Sequence, residues 1–235
     1  MKMILSLAVL LVFVLSSTAF AEERLPTISV SGEGIVETSP DRATIFVGVV
    51  SRDKNATKVQ NDNAQIASNI IKSVVALGVE RKNIRTGNYS FRQIFHNDDK
   101  KQRVFDGYEV NNTVTIVVDD LKLVGKIIDA SLSNGANNID SLTFGIRDRT
   151  ALQNEALRLA VRDARTKAEI AAAELGKTVL GIRSMSINSG SISAPRYNKV
   201  AMMERASADA MIETPIESGT LTCSASVHVE FEITR

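Results

Sequence analysis

Two similar successions of strands and helices limit the folds that are open to this chain. Apolar residues alternate over the segments predicted as strands, and they recur every three or four residues over the predicted helices. The order strand, helix, strand, strand occurs in residues 43–118 and again in residues 139–233. These segments fall in two possible sub-units, residues 27–118 and 138–235, which a helix at residues 121–134 joins. This order predicts an α+β fold of two βαββ-like units with mixed or antiparallel sheets.

The longest predicted helix begins after Asp148, a residue type that caps helix N-termini, and ends at Gly176. Its predicted inner face repeats at steps of four and three residues, and the helix is rich in alanine. This face comprises Leu157, Val161, Ala164, Ala168, Ala171 and Leu175. Because alanine has little bulk, we expect this helix to pack closely on a sheet and Leu157→Asp to be severely destabilising.

The remaining elements are predicted from the same two periodicities. Helices are expected at Asn55–Leu77 and Leu121–Leu132, and strands at Thr27–Ser31, Ala43–Val50, Tyr89–Phe95, Val104–Val118, Ile139–Ile146, Leu180–Ile187 and Leu221–Ile233. The segment Asn188–Gly219 has no sustained period and is predicted to be a long loop. A loop of this length can carry a functional site, can act as an arm in assembly or can be only a linker. The apolar residues of this segment favour a role in assembly.

The first 21 residues have the pattern of a cleaved secretory signal. Lys2 supplies a basic start, Ile4–Leu15 is apolar except for Ser6, and Ala19-Phe20-Ala21 has the small residues that signal peptidase requires. The apolar run is shorter than the roughly 20 residues of a membrane span. We therefore expect a signal peptide at residues 1–21 and a mature domain at residues 22–235 that works in the periplasm. An uncleaved anchor is the alternative.

The composition of the mature chain excludes several classes of protein. One of the 28 Lys and Arg residues, Lys2, lies in the predicted signal, so 27 basic and 27 acidic residues remain. This balance gives no general attraction for nucleic acid. The single cysteine, Cys223, rules out an internal disulfide, and we expect it to be a small buried residue in a strand. The absence of Trp and the low aromatic content argue against a stacking platform.

No group of residues in the sequence forms a catalytic, cofactor-binding or metal-binding motif. The candidates that we considered are His96, His228, Ser51 with Lys54, Gly32 with Gly34, Asp98 with Asp99, and Asp119 with Asp120. Each lacks the companion residues that its chemistry needs, so we expect ordinary structural or solvated roles. No catalytic residue, cofactor or metal ligand is therefore assigned.

Three methionines lie in the long predicted loop, at Met202, Met203 and Met211. Exposed thioethers can be oxidised reversibly or can bind soft copper ions. Adaptable apolar contact with another subunit is the simpler interpretation, since no other soft ligand lies nearby in the sequence.

Several sequence blocks together resemble the SIMPL-domain family, which comprises secreted proteins of Gram-negative bacteria. The blocks are Ile28–Gly34 with Pro40–Ala43, Leu77–Val79 with Asn83–Thr86, Gly107–Asn112 with Asp119–Leu121, Gly135–Asn137 with Phe144, Ala156–Gly176, and Pro215–Gly219. They occur in the family's order over almost the whole mature chain. One departure is Gln93-Ile94-Phe95, where the family often has Pro-x-Tyr.

The resemblance implies an α+β fold that self-associates and that is linked to envelope integrity or oxidative-stress defence, in some members at the outer membrane. It supplies no catalytic residue. We therefore expect a non-enzymatic periplasmic protein that forms homo-oligomers and binds no nucleic acid. The alternative is a periplasmic enzyme or small-ligand binder, which would need a concave pocket with converging polar groups.

Overall fold

The computed structural model describes residues 25–193 and 214–235. The predicted signal peptide at residues 1–21 and the methionines Met202, Met203 and Met211 lie outside the described residues. The elements in chain order are β1 Thr27–Thr38, β2 Arg42–Asp53, α1 Ala56–Ala76, β3 Ile84–Asn97, β4 Arg103–Val118, α2 Val124–Ser133, β5 Asn138–Gly145, α3 Arg149–Glu174, β6 Val179–Ser193 and β7 Leu221–Ile233. Within this part of the chain, no helix is both long enough and apolar enough to cross a membrane.

The four-stranded sheet has the strand order β3-β4-β2-β5, and all of its neighbouring strands are antiparallel. Apolar residues alternate along its central strands, so one face of the sheet can be buried. Helices α1 and α2 contact that face. The core that results includes Ile45 and Val47 of β2, Ile116 of β4, Ile70 of α1 and Ile127 of α2, which are all fully buried.

Helix α1 begins and ends where the sequence predicts. Asn55 caps its N-terminus, because the Asn55 side-chain oxygen accepts a hydrogen bond of 3.0 Å from the backbone N–H of Lys58. Gly78 follows the last turn with φ of +98°, a conformation that glycine adopts without steric cost. These two signals fix the length of the helix to within a residue at each end.

The three-stranded sheet has the order β1-β7-β6. Strand β7 alternates strictly between buried and less buried residues, and its boundaries are the ones predicted. Hydrogen bonds between Thr178 and Thr234 at one end, and between Ser193 and Thr222 at the other, show that β6 and β7 are antiparallel. Cys223 is fully buried in β7, as predicted.

Helix α3 buries a different stripe from the one that the sequence predicts. An alanine at every fourth position is buried, namely Ala156, Ala160, Ala164, Ala168 and Ala172. The predicted stripe is correct at Ala164 and Ala168, but it is wrong at Leu175, which is 66% exposed, and Leu157 is only half-buried. An all-alanine stripe lets the helix backbone come very close to the sheet, and the larger side chains then lie at its margins.

The described residues group into two compact units. Residues 25–32, 162–187 and 227–235 form one unit, and residues 33–161, 188–193 and 214–226 form the other. The four-stranded sheet with α1 and α2 lies wholly in the second unit, whereas β1, α3, β6 and β7 each run from one unit into the other.

The predicted α+β class with mixed or antiparallel sheets is confirmed, and both sheets are antiparallel. Two of the details that differ from the prediction concern β5 and β6. Strand β5 pairs with β2, because its Ile139, Leu142 and Phe144 pack against the same core as α1 and α2. Strand β6 continues to Ser193, so residues 188–193 of the predicted loop belong to a strand, and residues 194–213 of that loop lie outside the described residues. A strand can continue without apolar alternation, since backbone hydrogen bonds need no particular side chain.

Candidate functional site: an exposed aromatic hairpin

Strands β3 and β4 form a long hairpin that continues past the end of its neighbour β2. The last residue of β2, Asp53, lies opposite Tyr108 of β4. Beyond that point β3 and β4 pair only with each other, as far as the pair Asn97 and Arg103. Strand β3 is an edge strand of the sheet over its whole length. Among the described residues, nothing therefore covers the end of the hairpin or pairs with its outer backbone edge.

Aromatic side chains collect on this hairpin, where Tyr89, Phe91, Phe95 and Phe105 are 39–50% exposed and Tyr108 is half-buried. We call Tyr89, Phe91, Phe95, Val104, Phe105 and Tyr108 the aromatic patch. The rings of Phe91 and Tyr108 stack with centroids 5.4 Å apart, and Phe105 meets Tyr108 and Phe95 edge to face at 5.3 and 5.9 Å. Such pairs contribute roughly 0.5–1.5 kcal/mol each beyond the area that they bury. The rings thus hold one another in place while their outer surfaces remain in solvent.

The hairpin turn is organised by Asp98. Its side-chain oxygen accepts hydrogen bonds from the backbone N–H groups of Lys100 and Gln102, at 2.9 and 2.8 Å. Lys101 has φ of +59°, which closes the turn, and its N–H donates to the carbonyl of Asp98. Asp98 was predicted to be merely solvated, but in the structure it has a structural role.

A buried carboxylate joins the three strands at the base of the hairpin. Glu109 of β4 lies opposite Arg52 of β2 and Arg92 of β3. Each guanidinium contacts one carboxylate oxygen through its Nε and Nη2 atoms, at 2.7 and 2.7 Å for Arg52 and at 2.8 and 2.6 Å for Arg92. The Arg52 hydrogen bond, followed by that of Arg92, holds the pKa of Glu109 below its usual value. The three side chains thus tie the hairpin to the sheet.

Charges near the turn balance one another. Between His96 and Asp106 the chain has three acidic residues and three basic ones, namely Asp98, Asp99, Asp106, Lys100, Lys101 and Arg103. The Arg103 guanidinium lies 4.0 Å from the centre of the Phe95 ring, so its charge is partly satisfied by the aromatic face. A surface of this kind neither repels an identical copy nor selects a strongly charged partner.

The sequence candidates for chemistry do not come together. His96 lies 3.4 Å from Asp106, and both are about half exposed. His228 shares a hydrogen bond of 3.2 Å with Ser31. The Ser51 hydroxyl accepts a hydrogen bond from the buried amide of Asn63. Across residues 25–193 and 214–235, no group of three or more His, Cys, Asp or Glu residues is arranged to hold a metal ion.

Asp119 differs from the solvated role that was predicted for it. It forms ion pairs with Arg42 at 2.7 Å and with Arg147 at 3.6 Å. The hydrogen bond from Arg42 holds the pKa of Asp119 below its usual value. Its neighbour Asp120 caps the short helical turn Leu121–Leu123 through the N–H of Lys122. Both acidic residues are therefore structural.

Two clefts are lined by described residues of the second unit. One, of about 440 Å³, is lined mainly by polar residues, namely Glu33, Ile35, Asn188, Ser191, Ser224, Ala225 and Ser226. The other, of about 370 Å³, is lined by two arginines and several apolar residues, namely Arg42, Thr44, Thr143, Phe144, Gly145, Ile146, Arg149, Ile192 and Leu221. The described residues that line the two clefts include no pair of groups placed for acid–base or nucleophilic catalysis.

Comparison with known families identifies the group to which this fold belongs. The model of the SIMPL family, described as a protein of unknown function (DUF541), matches residues 28–231. The chain belongs to the SIMPL family. The match runs from β1 to β7 and includes the whole hairpin.

Similar proteins are known from several bacteria. The "26 kDa periplasmic immunogenic protein" of Brucella melitensis is 30% identical over 238 residues, which cover 96% of this chain and 94% of that protein. The protein of the same name from Brucella abortus is similar to the same extent. "Uncharacterized protein YggE" of Escherichia coli K12 is 24% identical over 139 residues, which cover 59% of this chain and 56% of that protein.

The aromatic patch is the feature that sequence reasoning missed. Low overall aromatic content argued against an aromatic platform, yet the five rings of the patch occur within residues 89–108. Their local density was visible in the sequence. Their exposure depends on two features that the sequence does not reveal. Strand β3 lies at the edge of the sheet, and β3 and β4 run beyond the end of β2 at Phe95 and Phe105.

Proposed function

We propose that this SIMPL protein is a non-enzymatic periplasmic protein that self-associates, and that a second copy covers the aromatic patch. The observation that carries the proposal is the cluster of exposed, mutually packed rings on an edge hairpin. Aromatic side chains dominate the energetic centres of protein interfaces, and a fixed cluster loses little conformational entropy on binding.

The size of the patch supports a protein partner. A buried aromatic side chain covers about 150–250 Å², so the four exposed rings, at 39–50% exposure, present roughly 350 Å². That area reaches the range of about 300–600 Å² in which the largest patch on a monomer is often functional. It is about half of the roughly 800 Å² that each partner buries in a stable interface. The adjoining edge of β3 supplies further contact by strand addition.

Charge favours a second copy as the occupant. The acidic and basic residues near the turn are equal in number, and the mature chain has no net charge if residues 1–21 are removed. Two identical neutral surfaces approach each other without repulsion. An anionic membrane or a strongly charged partner would bind better to a hairpin with a net charge of the opposite sign.

The test compares the assembly of three forms of residues 22–235 by native mass spectrometry and sedimentation over a range of concentrations. The double variant Phe91→Ser and Phe105→Ser removes two rings from the patch. Leu132→Ser is the control, because Leu132 is 45% exposed on α2, away from the hairpin. We expect the double variant to shift from oligomer toward monomer, with at least a tenfold weaker association, and the control to assemble normally.

Three results would overturn the proposal. They are a wild-type protein that stays monomeric at high concentration, a double variant that assembles as wild type does, and a control that dissociates equally. Circular dichroism of each form checks that the fold is retained. Flotation of the wild type, but not of the double variant, with vesicles of phosphatidylethanolamine and phosphatidylglycerol would instead assign the patch to a membrane.

The periplasmic location is supported by the names of the two Brucella relatives and by the predicted signal. We expect the mature protein to begin at Glu22 and to appear in the periplasmic fraction. N-terminal sequencing that finds Met1 on a cytoplasmic protein would contradict this location.

A role in envelope integrity or oxidative-stress defence, with association to the outer membrane, follows from the family resemblance and is part of the same proposal. A strain that lacks the protein should then be more sensitive to detergent or peroxide, and complementation with the patch variant should fail. Equal complementation by both forms would separate any stress role from assembly.

A further inference from the structure

The second cleft has the two features that recognise an amphipathic anion. Its charged wall is made by Arg42 of β2 and Arg149, the first residue of α3. Its apolar lining is made by Phe144 and Ile146 beside the end of β5, Ile192 of β6 and Leu221 of β7. The volume of about 370 Å³ lies at the lower end of the range of about 300–1,000 Å³ for ligand pockets.

The position of Arg42 is fixed by the surrounding structure. It lies opposite Gly145 in the pairing of β2 with β5, and its Nε donates to Asp119 at 2.7 Å. The backbone N–H of Asp41 donates to the carbonyl of Gly145, which secures the same wall of the cleft. One third of the Arg42 side chain remains exposed, although one face of its charge is used by Asp119.

Arg149, unlike Arg42, is not held by an ion pair among the described residues. The residue is exposed. Its positive charge partly offsets the rise that burial causes in the pKa of the Cys223 thiol. Cys223 lies two residues after Leu221 on β7, so the guanidinium is close to the β7 side of the cleft.

The neighbouring acidic residues are engaged in structure. Asp41 accepts a hydrogen bond from the backbone N–H of Arg147, and Asp148 accepts one from the N–H of Ala151 at the start of α3. Asp119 is shared between Arg42 and Arg147. Arg149 therefore remains as the guanidinium at the cleft that an incoming anion can pair with.

We propose that this cleft binds the carboxylate of an amphipathic molecule, such as a medium-chain fatty acid, through Arg149 and Arg42. The hydrocarbon chain lies along Phe144, Ile192 and Leu221. This site is separate from the aromatic patch and does not depend on self-association.

The test is isothermal titration of the mature protein with decanoate, kept below its micellar concentration. Three further probes test the contributions of the charge and of the hydrocarbon chain separately. Decanol has the chain without the charge, butyrate has the carboxylate without the long chain, and inorganic phosphate is an anion without a chain. We expect decanoate to bind at least tenfold more tightly than any of the three, because only decanoate can pair with the arginines and also cover the apolar lining of the cleft.

Variants locate the site. Arg149→Ala should weaken decanoate binding about tenfold or more and leave the weak binding of decanol unchanged. Arg158→Ala is the matched control, since Arg158 is an exposed arginine on the same helix that pairs with Glu155 at 2.9 Å. Ile192→Ser should weaken decanoate while leaving butyrate unchanged.

Several results would overturn this inference. They are no detectable decanoate binding, equal affinity for decanoate and decanol, phosphate binding as tight as decanoate binding, and equal loss of affinity in the Arg149 and Arg158 variants. A monomeric patch variant that still binds decanoate would show that the two proposals stand independently.

Discussion

The close approach of α3 to β1 is tested most sharply by adding one methyl group at Gly34. A Cβ atom at this position would lie 1.9 Å from the backbone oxygen of Ala156 and 2.6 Å from the backbone nitrogen of Ala160. Both atoms belong to a helix backbone, so no side-chain rotation can relieve the overlap. The helix and strand would have to separate by roughly 1.5 Å to restore ordinary contact distances.

We expect Gly34→Ala to lower the free energy of unfolding by about 3 kcal/mol, at the upper end of the roughly 1–3 kcal/mol that overpacking costs. For a domain of this size that corresponds to a fall in Tm of roughly 6–12 °C. The assay is urea unfolding followed by circular dichroism, with protein concentration held constant because assembly would alter apparent stability.

Gly145→Ala is the matched control, because it adds the same methyl group at a position with open space. Gly145 is also a strand glycine, and an added Cβ would meet no heavy atom within 4 Å. Its effect should remain within about 1 kcal/mol of wild type. If Gly34→Ala and Gly145→Ala unfold at the same urea concentration, helix α3 does not pack against β1 as described.

Three further predictions concern buried groups. Glu109→Gln should lower the free energy of unfolding at pH 7 by about 1–2 kcal/mol, a figure reduced because both arginines are largely solvent-exposed. The pKa of Glu109 is lowered on folding, so the difference in stability between wild type and variant should disappear as pH falls through that pKa. Urea unfolding at several pH values measures this difference. Cys223 should react with a thiol reagent only as fast as the protein opens, because burial excludes the reagent and raises the pKa of the thiol, and rapid labelling of the native protein would contradict this. Ala160→Asp should destabilise far more than Leu157→Asp in thermal melts, because Ala160 is fully buried and Leu157 is only half-buried. From the sequence alone, Leu157→Asp was itself expected to be severely destabilising.

Local sequence signals predicted the elements whose boundaries depend on local chemistry. Strand β7 was found at Leu221–Ile233 because its strict alternation requires one buried face. Helix α1 was found to within a residue because Asn55 and Gly78 mark its ends. In both cases the deciding interactions lie within a few residues of one another in the chain.

Features that depend on distant residues were not predicted. The buried stripe of α3 is set by how near the sheet lies, and that distance depends on Gly34, more than a hundred residues earlier. The contacts of Glu109 with Arg52 and Arg92 depend on the register of three strands. The second cleft, which is lined by Arg42 and Arg149, combines residues of β2, β5, α3, β6 and β7, so no sequence motif marks it.

The central claim, that a second copy covers the hairpin, is tested most directly by hydrogen exchange of the mature protein at several concentrations. If β3 is covered in the assembly, backbone amides of residues 84–97 should exchange at least tenfold more slowly at high concentration than after dilution. Residues 138–145 of β5, the other edge of the same sheet, serve as the internal reference and should not change. If residues 84–97 exchange at the same rate throughout the range over which the protein assembles, the hairpin is not the interface.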